Sequence, residues 1–255
     1  MQQHEAVLDI QLKELKLSTF KNNWHDVEQL AITESYSYSQ YLSHLCSMEI
    51  DKRIGTRLTR MIKESKLPKN KTLSSYDFDS CKSINKDQIN ALAETDTWVN
   101  QAHNLIIFGA SGLGKTHIAS AIAYRKIELG IRVKFFQTSH LVQSLQLAKQ
   151  QYRLKEEIIK LDRIPLIILD DIGYVKKDEH ETSVLFELIC HRYETSSIII
   201  TSNQPFSSWD SIFADNMMAV AAIDRLVHHS TIISLEGESY RTVSYTHLTL
   251  PTIYS

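Results

Sequence analysis

The chain has 255 residues, 43% of them hydrophobic, and a formal net charge of −2 with its histidines neutral. That length suits one medium α/β domain with a smaller appendage, and the apolar content excludes a globally disordered chain. The near-neutral balance excludes a polycation, so any nucleic-acid surface has to be a local patch.

Three cysteines, Cys46, Cys81 and Cys190, are odd in number and widely spaced, which argues for a reducing cytoplasm and against a disulfide framework. The pairs His44/Cys46 and Cys190/His191 lack ligand-like spacing to a second pair, so no zinc site is expected. The polar start MQQHEAVLDIQLKEL lacks the layout of a signal peptide, and no apolar run approaches the roughly 20 residues that cross a bilayer. A soluble, cytoplasmic protein with no membrane partner is expected.

Residues 1 to about 66 hold one glycine, Gly55, and no proline, and they read as helices. Leu8, Leu12, Leu15 and Phe20 give one apolar face. A second helix runs through Tyr41, Leu45, Ile50, Ile54, Leu58 and Met61, whose side chains are expected to pack inward. Arg53, Arg57 and Arg60 share one face of it, and Lys52, Lys63 and Lys66 extend the charge. This densest basic patch is the candidate DNA surface, through phosphate contacts with little sequence preference. A solvated charged face is the plainer reading of the same residues. Pro68 and the polar stretch from Lys69 to Ser75 read as a linker, giving a helical domain over 1–68.

Beyond it strands alternate with helices. Leu105–Phe108 is a short apolar strand, and Lys115 to Leu129 a helix closed by Gly130 in the C-cap position. Val133–Phe136 is a second strand. Ser139, a plausible N-cap by residue type, opens a single long helix to about Lys160. Leu166–Leu169 is a third strand, Glu179–Tyr193 a helix, Ser197–Thr201 a fourth strand, and Ile232–Leu235 reads as a fifth. Strands joined by helices of this length imply right-handed crossovers and a parallel sheet covered on both faces.

The first strand leads into FGASGLGKTH, which matches G-x-x-x-x-G-K-[ST]. Backbone amides have to converge on phosphate oxygens there, and a Cβ at the glycine positions would block the turn or the approach. Gly109, Ala110, Ser111, Gly112, Leu113, Gly114, Lys115, Thr116 and His117 are therefore the candidate ATP-binding residues. Lys115 is expected to reach the β- and γ-phosphates, and the Thr116 hydroxyl to ligate Mg2+. The third strand, in PLIILDD, ends on two carboxylates. Asp170 is the candidate for holding Mg2+ through water, and Asp171 for orienting or deprotonating the attacking water. Asp-Asp-x-Gly also suits a solvated turn. Asn203, after the fourth strand in SIIITSNQPF, offers an amide that could order water or touch the γ-phosphate.

Together these residues resemble the AAA+ ATPases, and among them the IstB-like ATP-binding helpers of insertion sequences, akin to the DnaC helicase loaders. The resemblance rests on GASGLGKTHIASAIA, LIILDDIGY, SIIITSNQPFSSWDSIF, AIDRLVHHS and GESYR, and covers residues 1 to about 241. It implies a P-loop AAA+ core with a parallel five-stranded sheet over 69–242, preceded by a small all-helical, DNA-contacting domain. It also implies an ATPase that assembles as a homo-oligomer on double-stranded DNA and activates a transposase; the alternative is loading of a replicative helicase. Under it Asn203 is a polar sensor, Arg225 a finger reaching a neighbour's γ-phosphate, and Arg241 a weaker nucleotide contact. The plain reading of Arg225 is a surface ion pair with Asp224 or Asp215. Asp171 stands where the wider class more often has glutamate. From Val243 the chain reads VSYTHLTLPTIYS, which departs from the family pattern and resembles a translated sequencing-adapter read-through. Residues 243–255 are assigned no function.

Overall fold

The computed structural model describes residues 2–78, 83–174, 179–211 and 216–236. Asp215, Arg241 and the tail from Val243 lie outside the described residues. By backbone contacts the chain forms two compact units, residues 1–60 and 61–255.

The first unit is helical: α1 (Gln2–Glu14), α2 (Ser18–Thr33) and most of α3 (Tyr38–Ser65). Leu12, Trp24, Val27 and Leu45 form its buried centre, with Leu8, Phe20, Tyr41 and Met48 packed around them. The expected continuous face from Leu8 to Phe20 is broken. Lys16 takes a left-handed φ of 56°, and Leu17 N–H bonds back to Leu12 O, which closes α1 and starts a new helix. Leu15, at this corner, is 66% exposed. The expectation for α3 also needs correction. Leu45 and Met61 are buried, but Ile50 and Ile54 are more than half exposed.

The second unit is built on a five-stranded, wholly parallel sheet in the order β2-β3-β4-β1-β5. Its strands are β1 (Asn104–Gly109), β2 (Val133–Gln137), β3 (Leu166–Asp170), β4 (Ser197–Ser202) and β5 (Ser230–Leu235). The runs LIIF, LIIL and SIIIT are buried throughout, as central parallel strands covered on both faces must be. The covering helices are α4 (Lys86–Glu94), α5 (Thr97–Asn100), α6 (Lys115–Glu128), α7 (Thr138–Gln150), α8 (Leu154–Asp162), α9 (Glu179–Arg192) and α10 (Asn216–His228). One core cluster joins Ile106, Ile167, Leu169, Ile198 and Ile200 of the sheet to Leu141, Leu145, Leu185, Leu188 and Leu226 of the helices.

The helix expected from Ser139 to Lys160 is two. Tyr152 stands at φ 58° and Arg153 N–H returns to Ala148 O, the same left-handed closure as at Lys16. The start also moves: α7 begins at Thr138, whose hydroxyl donates to Asp170 O at 2.8 Å, so Ser139 lies inside the helix and is not its cap. Gly130 does close α6 as expected, at φ 85°. No helix among the described residues is long and apolar enough to cross a membrane.

Candidate nucleotide site

Because the sheet is parallel, β1, β3 and β4 all deliver their C-terminal ends to one edge. The register Leu169↔Ile200 and Ile107↔Thr201 sets Asp170 beside Thr201, with the loop after Gly109 on the strand beyond. The loop 110–114 then turns directly into α6. Gly114 makes that turn at φ 85°, and a Cβ on it would lie 2.7 Å from Cε2 of Tyr76. No side chain caps the start of α6, so its first N–H groups point out of the helix towards the loop. That arrangement, with the positive end of a 14-residue helix behind it, has the form that suits phosphate oxygens.

Lys115 is only 6% exposed, and its ammonium donates to Gly109 O at 2.7 Å and Ala110 O at 2.9 Å. The cation is thus held inside the loop's curve. One residue on, Thr116 Oγ1 donates to Asp170 Oδ2 at 3.2 Å. The other carboxylate oxygen, Oδ1, accepts from Thr201 Oγ1 at 2.7 Å. Burial pushes the Asp170 carboxyl above the usual range, and the neighbouring Asp171 pushes it further. The Thr201 and Thr116 hydroxyls and the linker's Lys71 pull against them. A divalent cation beside it would relieve that cost. Thr116 and Asp170 present only oxygen donors, the set that Mg2+ takes through one or two carboxylates and waters.

Asp171 follows at φ 56°, a left-handed conformation held because its N–H donates to Thr201 Oγ1 at 2.9 Å. Its side chain is partly exposed, whereas that of Asp170 is buried. Asn203 lies just beyond β4. Its Oδ1 is buried without a partner among the described residues, and a Cβ on Gly173 would collide with it. A buried amide oxygen left unpaired calls for an explanation.

Two contacts to the loop escaped the sequence reading. The segment after Pro68 is not a plain linker: it folds into a short 3-10 turn, Leu73–Ser75, laid against the phosphate loop. Tyr76 donates its hydroxyl to Leu113 O at 3.2 Å. His117 Nε2 donates to Thr72 O at 3.0 Å and sits 3.1 Å from Ser75 Oγ. Burial lowers the His117 pKa, the Thr72 bond opposes it and nearby Lys71 adds to it. The only signal in the sequence was an aromatic pair, Tyr76 and Phe78, in an otherwise polar stretch.

The remaining candidates lie apart from this cluster in their bonding. Arg225, on α10, donates to Ala221 O at 2.9 Å and lies over the Phe186 ring, 5.6 Å from its centre. In the first unit Lys52, Arg53, Arg57 and Arg60 are exposed along α3; Arg53 bonds Glu49 Oε1 at 2.7 Å and Lys16 O at 3.1 Å. Lys63 and Lys66, both exposed, belong to the second unit, and Lys66 ends the helix at φ 56°.

A family model described as IstB-like ATP binding protein matches residues 10–246. A relative from Sinorhizobium fredii, named as an insertion sequence ATP-binding protein, is 46% identical over 237 residues, spanning 93% of this chain and 80% of its own. Among solved structures, AMPPCP-bound DnaA from Aquifex aeolicus matches with a TM-score of 0.56 at 18% identity, over 73% of this chain and 59% of that one. The DnaC helicase loader matches at 0.52 and 22%, over 66% of this chain and 98% of that one. At such identities these two speak for the fold, a P-loop AAA+ sheet preceded here by helices.

Proposed function

The chain belongs to the IstB-like ATP binding proteins, and on that premise we propose that it is a Mg2+-dependent ATPase that assembles on double-stranded DNA and activates a partner transposase. The observation that carries the enzymatic part is the meeting of Thr116 Oγ1 and Asp170 Oδ2 at 3.2 Å, from the phosphate-loop helix and an adjacent strand end. A structural turn has no need of a buried carboxylate facing a helix N-terminus.

In this reading the loop amides and the N-terminus of α6 bind the phosphates. The Lys115 ammonium exchanges its two carbonyl partners for β- and γ-phosphate oxygens. Thr116 and Asp170 hold Mg2+, which when bound neutralises charge on those oxygens. Asp171 orients the attacking water, and Asn203 turns its unpaired Oδ1 to accept from that water or its Nδ2 to donate to the γ-phosphate. Arg225 leaves its own helix to complete a neighbour's site, which makes hydrolysis depend on a homo-oligomer. The relative's name places it in an insertion sequence, which favours transposition over helicase loading as this chain's task.

Two substitutions test the reading. Lys115→Ala abolishes ATP binding and leaves the folded state intact. Asp171→Asn keeps ATP binding and loses turnover by about 100-fold or more, the size of a general-base contribution. Asparagine tolerates the left-handed backbone at 171, so the change is chemical and not conformational. Wild-type nucleotide affinity in folded Lys115→Ala sinks the assignment.

A further inference from the structure

At the opposite edge of the sheet, three donors from two separate segments converge. Glu194 follows α9, on the way into β4, held at φ 58°. His228 ends α10, and His229 is the single residue between α10 and β5. One ligand atom from each lies within 4.8 Å of the others, and His229 Nε2 stands 4.0 Å from Glu194 Oε1. From this geometry we infer that Glu194, His228 and His229 form a binding site for a zinc-class divalent metal ion.

The scaffold under the cluster is buried and rigid. Asn104, at the first residue of β1, is 7% exposed and ties both contributing segments together. Its N–H donates to His229 O at 2.7 Å, its side-chain amide to Leu226 O at 3.3 Å, and its Oδ1 accepts from Ile198 N–H at 3.0 Å. The end of α10 and the start of β4 are therefore fixed relative to each other through one side chain. The three ligand side chains are exposed, so they adjust at little cost. Tetrahedral bonds of about 2.0–2.1 Å put ligand atoms roughly 3.3 Å apart, so on binding an ion these exposed side chains would have to close from separations of at most 4.8 Å.

The donor set selects the ion. Two imidazoles and one carboxylate suit Zn2+, Co2+ or Ni2+ and leave a fourth position for water, whereas Mg2+ prefers oxygen ligands throughout. His228 also has the supporting partner that metal-bound histidines have: its Nδ1 lies 3.0 Å from Tyr193 Oη. With Nδ1–H donating to that hydroxyl, Nε2 carries the lone pair. His103 is not a fourth ligand, since its Nε2 is engaged with Thr231 Oγ1 at 3.1 Å. The site is distinct from the nucleotide site, lying about 17 Å away along β1 by strand rise. Spacing in the sequence did not reveal it because the third donor is 34 residues from the histidine pair and arrives only through the sheet.

The test uses the untagged full chain, stripped with chelator and titrated with Zn2+ by calorimetry and with Co2+ by visible absorption. One ion per chain is expected in addition to any weaker binding. His229→Gln, His228→Gln and Glu194→Gln each weaken it by at least about tenfold, with ATP affinity unchanged as the check on folding. Asp170→Asn leaves it intact. Binding of wild-type strength in the double variant His228→Gln/His229→Gln, loss of binding in Asp170→Asn, or no Zn2+ uptake by the wild type overturns the site.

Discussion

Thr201 Oγ1 donates to Asp170 Oδ1 at 2.7 Å, and the same Thr201 hydroxyl oxygen accepts from the Asp171 N–H at 2.9 Å. One fully buried side chain on β4 thus holds the Asp170 carboxylate at the end of β3 and the backbone of Asp171 just after it. Its Cγ2 methyl is of less consequence than its hydroxyl, because the hydroxyl makes both bonds, one to the Asp170 carboxylate and one to the backbone of the left-handed Asp171.

Thr201→Val keeps the shape and removes both bonds. It leaves a buried carboxylate with one hydroxyl partner and a backbone N–H with none, a loss of about 1–3 kcal/mol in stability. Turnover falls with it, while ATP affinity changes little, because phosphate binding rests on the loop. Thr201→Ser restores turnover. Steady-state hydrolysis and denaturant melts of the three proteins check this, and unaltered kcat in Thr201→Val removes Thr201 from the positioning role.

Asp170 gives a pH signature whose sign is fixed. Its carboxyl is raised by burial and by Asp171, so the folded chain holds a proton there that the unfolded chain has released. Across that window, from the ordinary aspartate range up to the raised value, stability without metal falls as pH rises. Asp170→Asn removes this contribution. The wild type, in chelator, should lose more stability than Asp170→Asn between acid and neutral pH, and added Mg2+ with ATP should reverse the difference at neutral pH. Identical pH profiles for the two proteins contradict the shift.

Most of this site was legible in the sequence, and the reasons differ by residue. The phosphate loop and the acidic strand end are contiguous motifs, so Lys115, Thr116, Asp170 and Asp171 could be placed before any fold. All five strands were visible as short apolar runs. The helix breaks at Lys16 and Tyr152 were not, because each uses a left-handed residue with a side chain where a glycine would have given the signal. Such a residue costs on the order of 1 kcal/mol, which the surrounding contacts offset. Thr201, Thr138 and Tyr76 were missed for another cause: their partners are 31, 32 and 37 residues away, across strands or across the linker. Ile50 and Ile54 show the reverse error, since helical spacing gives a face without saying whether anything covers it.

Arg225 is tested by complementation. In the isolated chain its guanidinium is occupied by Ala221 O and the Phe186 ring, and no bond to Asp224 is present, so the surface ion pair with that residue is not what holds it. Arg225→Ala should bind ATP like the wild type and fail to hydrolyse it. Mixed with Asp171→Asn it should regain activity, since one kind of interface then contains both an intact Asp171 and an intact Arg225. With mixed assembly shown independently, no recovery at any ratio means that Arg225 acts within its own chain or not at all.

The DNA surface is the part of the proposal that salt can interrogate. Duplex binding by a chain with net charge −2 has to come from clustered cations, each releasing counterion as it neutralises a phosphate. Arg53, Arg57 and Arg60 project together from α3, but they are not equivalent. Arg53 is already committed to Glu49, itself bonded to Thr19 N–H at 2.9 Å, so it braces α3 against the start of α2. Arg53→Gln should therefore soften the first unit as well as weaken binding, whereas Arg57→Gln and Arg60→Gln should act mainly on DNA. The triple variant should bind duplex DNA more weakly, with a log–log salt slope shallower by about 2 to 3, close to one counterion per lost contact. Because the contacts are to phosphates, the loss should be the same for unrelated duplex sequences. ATP affinity should be unchanged, since the phosphate loop is built wholly within the second unit. An unchanged slope across the titration, with the triple variant folded, means that DNA is held elsewhere on the protein.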